Sequence, residues 1–361
     1  MKEWGMLRFL IPNEYELLKY GGIQAKDLRY GMKKILEYLP KDQFSEELIK
    51  ENLEKYSLEK MLEQIQYFFR KEYEFSDSKV ELNNRYQGNI SSYVCEGEKE
   101  GENSFIHIDE LYEAAVLSFF LSMFKWTKEF DNLETYGFGF IHALYTLNDV
   151  SILGRLPDAN ASETLLRAVN GDLQVINLAE DCYWTITAFN LAHELAHIYL
   201  NHDKKGGLSR QTKKQSHQEE FQADAIAYDI VLKMIIDGKR QSRNERLLEE
   251  YTFLAPVMFM DYVDLIYYTD RVLYQAYVGT ETHPEIQKRK ENIFKIPYED
   301  IYELDTEEGN RLYNGFLDVY DEYRTQLLMK KQLGKLESII DPERKREKRR
   351  EYEQGRSGEV G

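Results

Sequence analysis

Residues 185–202 read TITAFNLAHELAHIYLNH, and how this stretch folds decides how the rest of the chain is understood. It predicts one helix carrying His193-Glu194-Leu195-Ala196-His197. Side chains at i and i+4 lie one turn apart on the same helix face, so His193 and His197 can aim ring nitrogens at one ion. Glu194 stands beside them without being a ligand, placed to take a proton from a water that a metal activates. A buried helix with two satisfied histidines would also explain the pentapeptide. The choice between the two rests on the residues downstream of His197.

After a polar loop, 201–216, a second helix is expected over 219–229, EEFQADAIAYD. Glu220, Ala223, Asp224 and Ala227 fall at i, i+3, i+4 and i+7, giving one face of two acids and two small residues. The alanines would let a partner helix approach closely. Glu220 could then add an oxygen ligand at about 2.0–2.2 Å, completing a His2Glu zinc site with an open fourth position. Asp224, one turn on, could accept a hydrogen bond from the outer nitrogen of a ligating histidine. Glu219 competes for the ligand role, but Glu220 shares the helical row with Asp224. A solvated acidic face would account for the acids and leave the alanines unexplained.

His193-Glu194-x-x-His197 followed by Glu220-Phe-Gln-Ala-Asp224 resembles the paired motifs of gluzincin metallopeptidases, especially the group of the HtpX protease and the CAAX prenyl endopeptidase. Thr282-His283-Pro284 with Arg289 resembles the THP…R stretch of that group, with the same His-to-Arg offset of six. The resemblance covers about 173–289 and implies a zinc peptidase. It also implies that His283 and Arg289 help to stabilise an oxyanion or organise the site. The relatives in that group are membrane-embedded, so their substrates do not carry over. A metzincin would need a third histidine where this chain has Asp203. His202 reads as a helix-end or rim residue.

The chain has 361 residues and a formal net charge of −17, which disfavours a nucleic-acid partner. Its hydrophobic fraction of 42% and its 27 tyrosines indicate a folded protein. Two cysteines, Cys95 and Cys182, support neither a disulfide framework nor a cysteine zinc site, and a reducing compartment fits best. The amino terminus is broken by charges and a proline before any signal-like core forms, and the longest apolar run, 114–124, falls short of the roughly 20 residues of a bilayer crossing. A cytoplasmic protein without membrane association is therefore expected.

Along the chain, Leu58, Met61, Leu62, Ile65 and Phe68 repeat at helical spacing behind Ser57, a plausible cap. Between 74 and 103 the helical signal lapses into a boundary or exposed loop. Phe105–Ile108 alternates like a strand holding a structural His107, and Asp109 caps an apolar helix running to about Lys128. Residues 165–169 and 173–178 flank Asn170-Gly171-Asp172 and predict a hairpin, whose second strand could offer an edge to a peptide. Residues 251–277, with Asp261, Asp264 and Asp270, predict a core helix. A last helix should run from 305 to about 340, where Asp341-Pro342 ends it.

The expected fold is α+β and mostly helical: an N-terminal, mainly helical region over 1–103, a zincin-like catalytic domain with a small β-sheet over 104–340, and a charged, disordered tail over 341–361. The expected function is a soluble zinc metalloendopeptidase acting on a protein or peptide. The residues leave open a catalytically silent zinc-binding scaffold that binds a partner, and a regulated protease of a bacterial stress or phage-defence system.

Overall fold

The computed structural model describes residues 58–73, 80–85, 92–95, 104–109, 111–129, 136–155, 172–200, 213–240, 248–275, 284–296, 304 and 306–347. The chain is mostly helical with one small sheet, as the sequence predicts. Helix α1, Leu58–Tyr73, buries the expected row Leu58, Met61, Leu62, Ile65 and Phe68. Ser57, the residues before it and the tail from 348 onward lie outside the described residues.

The sheet stands elsewhere than expected. Strands β1 (Val80–Arg85), β2 (Ser92–Cys95) and β3 (Ser104–Asp109) form a three-stranded sheet in the order β1-β3-β2. β1 runs parallel to β3 and β2 antiparallel to it, with Val80 opposite Ser104 and Tyr93 opposite His107. Two strands therefore occupy the stretch read as a loop, and the sheet joins residues on both sides of position 103. The strand expected at Phe105–Ile108 is present, and the His107 ring packs 4.6 Å from that of Tyr93.

Asp109 caps the next helix, α2 (Leu111–Glu129), by accepting the Leu111 N–H at 2.8 Å. Helix α3, Tyr136–Tyr145, carries His142 and packs on α2. A π-helical segment, Thr146–Ile152, continues it.

Residues 173–178 do not form the predicted hairpin strand: they are the first turns of one helix, α4, which runs over Leu173–Leu200. Asp172 caps it rather than closing a β-turn: its carboxylate takes the Val175 N–H at 3.3 Å and its carbonyl takes the Ile176 N–H at 3.2 Å. Lys128 Nζ, 2.7 Å from the same carboxylate, ties the end of α2 to this cap. Residues 165–169 and His202 lie outside the described residues.

α4 is the central element and is apolar nearly all round; Ile186, Ala188, Leu191, Ala192, Leu195 and Ala196 are fully buried. Helix α5, Lys213–Arg240, starts earlier than the sequence suggests and packs on α4 more extensively than any other pair of elements. Ala223 and Ala227 are fully buried, as a close helix contact requires. α1 packs against both: Tyr73 Oη donates to Asp229 at 2.6 Å, Lys233 bridges Glu72 (2.9 Å) and Asp229 (2.8 Å), and the Tyr73 and Tyr199 rings meet at 5.7 Å.

Helix α6, Ala255–Tyr274, is the expected core helix, with Pro256 in its first turn and Gln275 ending it in a left-handed conformation at φ 57°. Helix α7, Ile286–Ile293, is short. Helix α8, Thr306–Gln332, stops before residue 340. Asp341 does not end a helix; it caps a further turn over 342–347 by accepting the N–H groups of Glu343 (2.8 Å) and Arg344 (2.9 Å), with Pro342 in the first position. The charged tail thus begins with a helical turn. No helix among the described residues is long and apolar enough to cross a membrane.

Candidate metal centre

His193 and His197 lie in the last two turns of α4, and Glu220 lies in the second turn of α5 facing them. The two Nε2 atoms are 3.1 Å apart; Glu220 Oε2 is 3.8 Å from His193 Nε2 and Glu220 Oε1 is 3.5 Å from His197 Nε2. These atoms all lie within 4.8 Å of one another, a group that could hold a metal ion. Four ligands at about 2.0–2.1 Å in a tetrahedron would stand about 3.3–3.4 Å apart, so the spacing fits zinc with only small adjustment. Glu220, rather than the neighbouring Glu219, belongs to the group.

Asp224 is fully buried, with Oδ1 3.0 Å from His193 Nδ1. The charge of that carboxylate favours a proton on Nδ1, and with the proton there the Nε2 lone pair is free for the ligand cluster. Arg289, from α7, closes on Asp224 in a bidentate grip, Nε to Oδ2 at 2.8 Å and Nη2 to Oδ1 at 2.6 Å, with Nη1 3.8 Å from Glu220. Arg289 thus stands behind the cluster, braced against the carboxylate that orients His193. Asn292, three residues on, donates to the Phe221 carbonyl at 3.0 Å and pins the turn of α5 that carries Glu220. No motif marks Asn292 in the sequence, although it lies one helical turn beyond Arg289 and so shares its face.

Charge at the site is balanced by these contacts. Burial alone would push the His193 imidazole down, yet the hydrogen bond and charge of Asp224, with Glu220, outweigh it and hold it above the ordinary histidine range. Burial works in the opposite sense on Asp224, and there Arg289 and His193 win, keeping the carboxyl below the usual range. The same acids hold the Arg289 guanidinium firmly charged against its burial.

Glu194 is also buried, at 8% exposed, on the turn that carries His193. One turn earlier Asn190 donates to the Tyr112 hydroxyl at 2.5 Å, linking this part of α4 to α2. β2, an edge strand of the sheet among the described residues, and β3 both pack against α4. His283 and Thr282 lie outside the described residues.

Two helix-borne histidines and a facing carboxylate make a group that could hold a metal ion, with a second carboxylate braced behind it. The sequence profile of the family Peptidase U49 matches residues 128–299, somewhat under half of the chain and including every one of these side chains. That match supports a peptidase, and hence a protein or peptide substrate. No curated protein and no solved structure matches the chain.

Proposed function

We propose that the chain is a zinc-dependent endopeptidase of gluzincin type, in which His193, His197 and Glu220 hold the metal. The convergence of these three side chains within 4.8 Å carries the reading. The likeness of the HExxH, ExxAD and THP…R motifs to the HtpX group supports the same assignment. Zinc in such a site supplies Lewis-acid chemistry, bringing the pKa of a coordinated water toward about 7 and polarising the scissile carbonyl.

The residues of the chain do the rest. Asp224 holds His193 in one tautomer and one ring orientation, and Arg289 holds Asp224. Glu194 receives the proton of the attacking water and returns it to the departing amine, so the C–N bond breaks with a neutral leaving group. His283 is assigned to the oxyanion on the resemblance alone, and such donors contribute about 10²–10³ in rate. An extended substrate would pair along β2, an edge strand among the described residues that packs on α4.

Metal analysis and single-site variants test this reading. Native protein should carry about one zinc per chain, lost in Glu220→Ala and kept in Glu219→Ala. Glu194→Gln should keep zinc and lose cleavage of a protein substrate identified by proteome-wide digestion. Zinc-loaded Glu194→Gln cleaving as fast as native protein would sink the mechanism, and folded native protein without zinc would sink the metal assignment.

A further inference from the structure

The mechanism gives no task to Lys290, yet this lysine is among the most buried charges of the chain. It is 8% exposed and lies beside Arg289 on α7. Its ammonium sits 2.5 Å from Asp261 Oδ1 in α6, itself only 3% exposed. The other oxygen of Asp261 accepts the Tyr313 hydroxyl of α8 at 3.0 Å, and the Tyr313 ring lies 5.8 Å from the ammonium. Burying such a pair is expensive, and apolar residues of similar volume would often serve stability as well or better. A lysine is therefore a poor choice if holding the core together were its whole task.

Its place on α7 suggests what the task is. A helix of eight residues does not hold itself together in water, so its position is set by what its side chains grip. Consecutive residues on a helix point about 100° apart. Arg289 consequently reaches α5 while Lys290 reaches α6 and α8, and fixing one fixes the rotation of the helix for the other. The path is continuous: Tyr313 and Lys290 on Asp261, one peptide bond to Arg289, Arg289 on Asp224, and Asp224 on His193 Nδ1.

We propose that Lys290, Asp261 and Tyr313 form a positioning device for the metal centre, setting the Arg289–Asp224 brace that orients His193. The device rests on the metal reading above. Lys290 is a positioning residue and touches neither substrate nor metal.

The test is Co²⁺ binding by the full-length chain, followed through the visible d–d bands and by competition with a chelator of known affinity. The double variant Lys290→Met/Asp261→Asn removes the charge pair without leaving a lone buried charge. It should unfold in denaturant close to the native midpoint, yet bind Co²⁺ about 10- to 100-fold more weakly, with shifted bands, as loss of support around a ligand does. Lys290→Arg, which keeps the ion pair, should recover most of the affinity. Should the double variant fail to fold, Tyr313→Phe is read in its place and should weaken Co²⁺ several-fold. Native affinity and native bands in the folded variant would overturn this inference while leaving the metal reading intact. A native chain that takes up neither Co²⁺ nor Zn²⁺ would overturn both.

Discussion

Replacing Asp224 by Asn changes one buried oxygen to an amide nitrogen and leaves the packing of α5 almost unaltered. It removes the charge that receives two Arg289 bonds, at 2.8 and 2.6 Å, and that stands 3.0 Å from His193 Nδ1. Breaking a buried ion pair from one side typically costs about 3–5 kcal/mol, because the remaining charge is left without compensation. Arg289 would keep Glu220 at 3.8 Å, so the lower end, about 3 kcal/mol, is expected in metal-free protein. Zinc affinity should fall by about 10- to 100-fold, as His193 loses the partner that fixes its tautomer. Guanidinium denaturation of metal-free native, Asp224→Asn, Arg289→Met and the double variant gives a cycle in which the two single losses should not add. A single-variant cost under about 1 kcal/mol, together with zinc affinity equal to native, would refute the claim that this pair braces the site.

Three further changes probe the fold. Asp172→Ala should lower stability by about 1 kcal/mol in denaturation, chiefly through the lost helix cap, because the Lys128 contact is partly exposed and worth little. Gly139→Ala should cost about 1–3 kcal/mol and lower the thermal midpoint, since a Cβ there would lie 2.2 Å from the Trp126 Cβ where α3 crosses α2. His142 is held by burial at about 4, below the ordinary 6.5, so the unfolded chain binds a proton that the folded one refuses. Its contribution is whole above about pH 6.5 and is lost as pH falls toward 4; in His142→Phe the denaturation midpoint should lose that part of its slope between pH 6.5 and 4.5.

The group that could hold a metal ion was legible because its residues obey helical spacing on two helices: His193 to His197, and Glu220 to Asp224. Arg289 was found only through a resemblance, since nothing local ties a charged residue in α7 to a carboxylate in α5. Lys290 was missed inside the charged run Gln287–Asn292, yet Ile286, Lys290 and Ile293 fall at i, i+4 and i+7, and that row faces the core. A lysine in line with two isoleucines was the available signal. The hairpin error came from a short window in which Asn170-Gly171 outweighed the pattern beyond it. Val175, Ile176, Ala179, Cys182 and Tyr183, all buried, recur with helical period once the window passes Leu178. β1, with Asn83 and Asn84 in its second half, carries little apolar alternation, and its place depends on pairing with β3.

The separation of the brace from the ligands has a consequence for how the chain matures. Arg289 comes 65 residues after Asp224. At synthesis rates of about 5–20 residues per second, roughly 3–13 s pass between the emergence of the two. His193, His197 and Glu220, the group that could hold a metal ion, are already outside during that interval, on a pair of helices that pack directly on each other. On the metal reading proposed above, an ion would meet these three side chains before α7 is present to brace Asp224, so the order of residues along the chain would let loading precede locking.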